Sequence, residues 1–353
     1  MGYTVKQADL EKDKQIMIDI LAHNRNRSDI DYAKRIDWIY LNNPFGRAKA
    51  WIIWEDTKNI PVGFTGVFPR PVFVQGKEYL AWNCGDFSIE KKYRTLGVAL
   101  KLRKEAKLAV DSGEVPFLYA HPNERMEVIH LRVGHKKISQ MVRFALPLRV
   151  ERYLKDKISP QALAKMLAWP VDSFLQLKFA LKRAKAAQGT FRSQVTCGAQ
   201  HDALFEAMKK QFPVVGTRSV EYLNWKFARH PNFHYQQYDF VADGRLRGTI
   251  FFLEKNDVIH LIDILCDDFE RYALPMLATF VSDVYRQRKT AALSFIIQEH
   301  NTLISTLQTV GFKRRDDATS AVIAYANAER NPALASLVLN PGNWFMTVGD
   351  RDA

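Results

Sequence analysis

GDFSIEKKYRTLGVALKLRKEAKLA, residues 85–109, changes its periodicity halfway along. Up to Tyr93 the residues alternate as in a strand; beyond Gly97, Ala99, Leu100, Leu102, Ala106 and Leu108 recur at helical spacing. Between them lies Arg94-Thr95-Leu96-Gly97-Val98-Ala99, a basic turn with one glycine. A strand, a tight turn and a helix N-terminus leave several N–H groups pointing into one concavity, with the positive end of the helix dipole behind them. Such a site suits a pyrophosphate. Gly97 lets the backbone approach a ligand closely, and the small Ala99 leaves room beside it.

Working outward, Asp9–Ala22 reads as a helix, and Trp38–Asn42 as the end of a second one stopped before Pro44. Residues 50–55, 61–68, 71–74 and 79–89 read as strands, the last two joined around Gln75-Gly76-Lys77. After the helix that ends near Ser112-Gly113 come a short apolar strand, Val115–His121, and a helix from Asn123, an N-cap, to Gly134. The order predicts a mixed α/β fold. At 353 residues the chain is long enough for two such units.

The turn resembles the acyl-CoA pyrophosphate motif of the Gcn5-related N-acetyltransferases (GNAT), [RQ]-x-x-G-x-[GA], with Arg94, Gly97 and Ala99 at its fixed positions. The helix NERMEVIHLRVG resembles a second motif of that family, N-x-x-A-x-x-x-Y-x-x-x-G-F. Asn123 and Gly134 keep its spacing, while His130 replaces the tyrosine and His135 the phenylalanine. The resemblance implies acetyl-CoA or another acyl-CoA as donor, held by Arg94, Thr95, Leu96, Gly97, Val98, Ala99 and Asn123. It implies direct attack by an amine on the thioester. The family's tyrosine serves as general acid toward the thiolate, a role open to His130, which is equally readable as a packing histidine. Asp86, eight residues before Arg94, matches a carboxylate found in some bacterial members. Burial would raise its pKa toward a useful range for a base, whereas a basic neighbour would make it an ion pair. Asn83, Ser88 and Glu90 on the same strand, and His121 at the end of the next, are lesser candidates for contact with the acceptor.

The second half reads as a copy of the first. Trp38-x-Tyr40-x-x-x-Pro44 recurs as Trp225-x-Phe227-x-x-x-Pro231, and an offset of 177 residues places Asp86 on Asp263, Arg94 on Arg271 and Gly134 on Gly311. The copy has lost the turn: Gly97, Val98 and Ala99 become Leu274, Pro275 and Met276, so this half is not expected to bind CoA. Asp263, Tyr272 and His260 are candidates to touch the acceptor. The expected organisation is a GNAT domain over 1–150, a helical connector over 151–190, a degenerate GNAT-like domain over 191–326 and a tail over 327–353. In the tail, Trp344 and Phe345 are expected to dock while the last residues fray.

The formal net charge of +13 admits CoA, a nucleotide-sugar, an acyl carrier protein, nucleic acid or an anionic membrane as partner. No RNA- or DNA-binding signature is present, so nucleic acid is not expected. The basic amphipathic stretch 174–187 is read as a helix between domains rather than one lying on a membrane. Cys84, Cys197 and Cys266 form neither a disulfide framework nor a zinc pattern, and the polar N-terminus is no signal peptide, which together suggest the cytoplasm. The expected activity is N-acylation of an amine, first of all a nucleotide-linked amino sugar for surface polysaccharide. The alternatives are a non-catalytic GNAT shell and a FemAB-like transferase using aminoacyl-tRNA.

Overall fold

The computed structural model describes residues 2–25, 27–149, 151 and 188–351. The first half contributes strands β1 (Tyr3–Gln7), β2 (Lys49–Glu55), β3 (Ile60–Val74), β4 (Lys77–Ile89), β5 (Phe117–Ala120) and β6 (Lys136–Pro147). Its helices are α1 (Lys14–Arg25), α2 (Tyr32–Ile36), α3 (Leu96–Ser112) and α4 (Glu124–Arg132). The second half contributes strands β7 (Gln188–Arg192), β8 (Val214–Gly216), β9 (Gln236–Ala242), β10 (Arg245–Lys255), β11 (Val258–Cys266), β12 (Ala292–Gln298) and β13 (Lys313–Ala326). Its helices are α5 (Ala199–Met208), α6 (Val220–Leu223), α7 (Phe269–Gln287) and α8 (Leu303–Val310), and the tail adds α9 (Pro332–Val338) and β14 (Trp344–Phe345). The expected connector helix over 160–188 falls, apart from Gln188, outside the described residues. Among those described, no helix is long and apolar enough to cross a membrane.

All the strands belong to one mixed sheet with the path β1-β2-β3-β4-β5-β13-β6-β12-β11-β10-β9-β7. The last strands of the two halves are exchanged: β13 lies against β5, while β6 lies against β12. They meet each other antiparallel at the centre, with Arg143–Ala145 of β6 paired to β12 on one side and to β13 on the other. The duplication read in the sequence is thus an approximate two-fold repeat about the β6–β13 pair.

The repeated Trp motif marks the same symmetry. Each copy ends in a single π-helical turn, closed by Asn42 N–H on Asp37 C=O and by Arg229 N–H on Asn224 C=O, both at 2.9 Å. The widened turn brings the two indoles face to face, 4.5 Å between centroids and 17° between planes. Each indole N–H donates to the other tryptophan's carbonyl, at 3.1 and 3.3 Å. An aromatic pair of this kind contributes about 0.5–1.5 kcal/mol beyond its buried area.

Two of the strands read from the sequence merge. Residues 61–68 and 71–74 form one strand, because Pro69 falls where β2 has ended, after Val67, and β8 has not begun, before Val72. A missing N–H is tolerated in such a gap. The hairpin that follows turns on Gln75 and Gly76, both at positive φ (49° and 78°), the geometry of a two-residue primed turn. In the tail, Trp344 and Phe345 are buried, and β14 pairs parallel with β8.

Candidate functional site

β4 and β5 run parallel only from Trp82–Cys84 against Leu118–Ala120, and beyond that they part. The gap opens between the N-termini of α3 and α4 and the end of α1. It forms a cleft of about 640 Å³ lined by Asn24, Arg25, Phe87, Ser88, Ile89, Arg94, Thr95, Leu96, Ala99, Asn123, Arg125, Met126 and Ile129. The strand–turn–helix read from the sequence forms its floor.

Thr95 caps α3, its hydroxyl accepting from Val98 N–H at 3.4 Å, and Ala99 N–H donates to Thr95 C=O. Thr95 N–H is itself taken by Tyr93 C=O at 2.8 Å. Within the six-residue turn this leaves Leu96 and Gly97 N–H as the first-turn donors that no intrahelical carbonyl can reach. A Cβ on Gly97 would meet no atom within 4 Å, so the backbone there faces open space. Arg94 folds back on the turn, with Nε on Ile89 C=O at 2.7 Å and Nη2 on Asn24 Oδ1 at 2.5 Å. Asn123 is the N-cap of α4, accepting from Met126 N–H at 3.0 Å, and its helix start forms the facing wall.

The residues nominated for proton transfer lie elsewhere. At Asp86 the β3–β4 register passes from Phe64↔Ser88 to Gly66↔Gly85, so β4 carries an extra residue, and Asp86 adopts φ 46°. The bulge turns the carboxylate inward, to Arg35, to Arg25 at 3.0 Å and to the Tyr40 hydroxyl at 3.2 Å. Burial pushes the carboxyl up, but the Arg35 and Arg25 guanidinium groups outweigh it and hold Asp86 below the usual carboxylate range. The expected rise in pKa is therefore corrected: Asp86 is a paired carboxylate, a poor proton acceptor.

His130 is likewise corrected. It is 3% exposed, does not line the cleft, and its Nδ1 meets His135 Nδ1 at 2.8 Å. Burial, with Arg103 and His135 beside it, drives its pKa well below the ordinary value, so it is neutral and a poor acid at neutral pH. The spacing had placed His130 on the right helix but could not say which side of it met the cleft.

Asn83 is buried and donates to Asp350 C=O at 3.1 Å, bound to the tail rather than exposed to an acceptor. Asp263 is also buried, in a closed network. It faces Arg218 at 3.2 Å and accepts from the Thr347 hydroxyl at 2.8 Å, while Arg218 also grips Asp350 at 2.6 Å and Arg70 holds Asp350 at 2.8 Å. The acceptor contact expected of Asp263 is thereby overturned. Tyr272 bonds Asp243 and has no part in the cleft. Ser88 does line the cleft, its hydroxyl 3.4 Å from Ile20 C=O. His121, two residues before Asn123, has both ring nitrogens buried without a partner, and burial together with Arg351 lowers its pKa to about 3. The sequence missed Asn24, Arg25 and Arg125; only their basic or amide character signalled them.

In the second half the same strand bulges at the matching place, with Phe251↔Asp263 followed by Phe252↔Leu261. The helix behind it begins four residues early for the copy: α7 starts at Phe269, capped by Asp268, whose carboxylate accepts from Arg271 N–H at 2.9 Å. Leu274 and Pro275 thus fall inside a helix, and an acidic side chain stands at its N-terminus.

No family model and no curated protein matches the chain. Solved structures do. A GCN5-related N-acetyltransferase from Anabaena variabilis is 11% identical, with a TM-score of 0.63 over 92% of this chain and 73% of that one. A tandem GNAT protein from the clavulanic acid biosynthesis pathway is 11% identical, with a TM-score of 0.54 over 92% and 98%. N-myristoyltransferase of Saccharomyces cerevisiae, with bound myristoyl-CoA, is 12% identical, with a TM-score of 0.57 over 99% and 85%. The chain has the GNAT fold, and it has it twice, in the tandem arrangement.

Proposed function

We propose that the protein is an acyl-CoA-dependent N-acyltransferase whose donor lies in the first-half cleft. The observation that carries this reading is the capped start of α3, where Leu96 and Gly97 N–H have no intrahelical acceptor and Arg94, Thr95, Leu96 and Ala99 line a cleft of about 640 Å³. Two oriented N–H groups, the helix dipole and nearby guanidinium groups fit a pyrophosphate. The tandem GNAT neighbour and the acyl-CoA-bound neighbour share the fold around it. An acyl-CoA supplies the thioester to be attacked.

The chain's own residues bind and orient. Leu96 and Gly97 hold the phosphates, and the Phe87–Ile89 segment, released from β5, offers backbone groups along the cleft to polarise an acyl carbonyl. A neutral amine attacks directly, so positioning supplies much of the acceleration. With Asp86 paired, His130 sealed, and the His121 ring nitrogens buried outside the cleft lining with its pKa lowered to about 3, the amine proton leaves by water. The nucleotide-linked amino sugar, and an acyl carrier protein as alternative donor, belong to this proposal as the first acceptor and donor to try.

Calorimetric titration of acetyl-CoA, and of longer acyl-CoAs, into wild type and Gly97→Trp tests it. Binding is expected in wild type and lost in the variant, whose indole would fill the open space. If no acyl-CoA binds the wild type, the non-catalytic reading replaces this one.

A further inference from the structure

Beside the acyl-CoA cleft, and sharing Arg25 with it, lies a small cavity of about 60 Å³ between the two halves. Water needs roughly 10–15 Å³ on this kind of measure, so the space takes a group of several atoms. Its wall combines Arg25, Arg27, Arg35 and Tyr32 from the first half with His230 and Asn232 from the second.

Three polar atoms of this wall, Tyr32 Oη, His230 Nε2 and Asn232 Nδ2, are buried without a hydrogen-bond partner. Tyr32 and His230 are each only 8% exposed. Leaving such groups unmet is costly, so three in one cavity indicate a ligand or water that meets them. All three present hydrogens. His230 Nδ1 accepts the N–H groups of Asn232 and Phe233, both at 3.1 Å, which puts the ring proton on Nε2. Asn232 Oδ1 accepts Asp31 N–H at 2.8 Å, which directs its amide hydrogens away from that contact.

The charges agree. Arg25 and Arg35 share the single carboxylate of Asp86, and Arg27 shares Asp29 with Lys255. Among the described residues, cations outnumber carboxylates around the cavity, and the Tyr32, His230 and Asn232 donors have no acceptor in it. An anion satisfies both deficits at once.

Resting on the acyltransfer reading, we propose that the acceptor amine carries an anionic group, a carboxylate or a phosphate, and that this cavity between the halves binds that group. The second half then contributes to substrate recognition through His230 and Asn232. Asp86 acquires a role as well: it holds Arg25 and Arg35 at the junction of the two cavities, which makes it a positioning residue.

The test titrates matched amines into wild type, Tyr32→Phe and Asn232→Leu by calorimetry. Alanine is compared with alaninamide for the carboxylate, and glucosamine 6-phosphate with glucosamine for the phosphate. Thiol release from acetyl-CoA and from longer acyl-CoAs is then measured with the same amines. The charged member of at least one pair is expected to bind at least tenfold more tightly, and the pair that responds identifies the anion. Each variant should reduce that preference severalfold while melting within a few degrees of wild type. No preference in either pair, or a preference that survives both substitutions, overturns the proposal. Charged-amine binding without thiol release from any acyl-CoA would sink acyl transfer alone; thiol release that favours the neutral members would sink the anion site alone.

Discussion

Asp86 shows how much a single residue's chemistry depends on partners that lie far away in sequence. Its spacing from Arg94 was legible, but Arg35 and Tyr40 reach it across 51 and 46 positions and gave no local signal. Substituting Asp86→Asn leaves two guanidinium groups facing a neutral amide in a buried site. The expected loss is about 3–5 kcal/mol of stability, read by urea denaturation. A loss below 1 kcal/mol would mean that the pair is not the buried network described. The histidines give a second residue-scale expectation. Burial, with Arg103 and Lys107 beside His135 and with Lys226 and Arg35 beside His230, lowers both to about 3. The unfolded chain takes up those protons near pH 6.5, the folded chain only near pH 3, so acidification through that window favours unfolding. Each histidine contributes a slope of at most about 1.4 kcal/mol per pH unit. Denaturation midpoints should therefore fall between pH 7 and pH 5, and His135→Phe should flatten that fall; an unchanged slope counts against a neutral buried imidazole.

At the scale of elements, α3 and α7 are one helix start built in two ways. Both follow a bulged strand, but α3 begins with the neutral cap Thr95 and an open glycine, while α7 begins with the acidic cap Asp268 one turn earlier in the repeat. The loss of the turn was legible from Leu274 and Pro275. The earlier helix start was not, because an Asp N-cap several residues upstream is also an ordinary loop residue. The comparison suggests transplanting the difference. Thr95→Asp keeps a capping side chain and adds a negative charge at the helix N-terminus, worth about 0.3–1 kcal/mol to the helix. The same charge faces an incoming pyrophosphate. Melting temperature is expected to hold or rise while acetyl-CoA binding weakens at least tenfold, measured by calorimetry. Equal affinity would move the phosphates away from this helix.

The whole molecule differs from two domains joined by a linker, since each half completes the other's sheet. The duplication was legible from the Trp motifs and the 177-residue offset that places Gly134 on Gly311, and the mixed α/β character from strand and helix periodicity. Strand exchange was not: a strand's own residues do not name the neighbour it joins, and pairing across roughly 145–210 residues leaves no trace in local sequence. Yet the exchange decides what can fold alone. Without β13, β5 is left with an unpaired edge along Phe117–Ala120, all four of whose residues are buried in the full chain. Exposed apolar edges of this kind associate rather than stay in solution. Residues 1–150 expressed alone are therefore expected to aggregate or remain unfolded by circular dichroism and analytical ultracentrifugation. Co-expression with residues 188–353 should restore a soluble one-to-one complex, because the second fragment supplies β13 to β5 and receives β6 against β12. The stacked Trp38–Trp225 pair then gives an independent readout, since its near-ultraviolet dichroism requires both fragments in place. A folded, monomeric first fragment would show that β5 tolerates an open edge and that the exchange is incidental to stability. A soluble complex formed only together would show that the cleft of the first half exists because the second half closes its sheet.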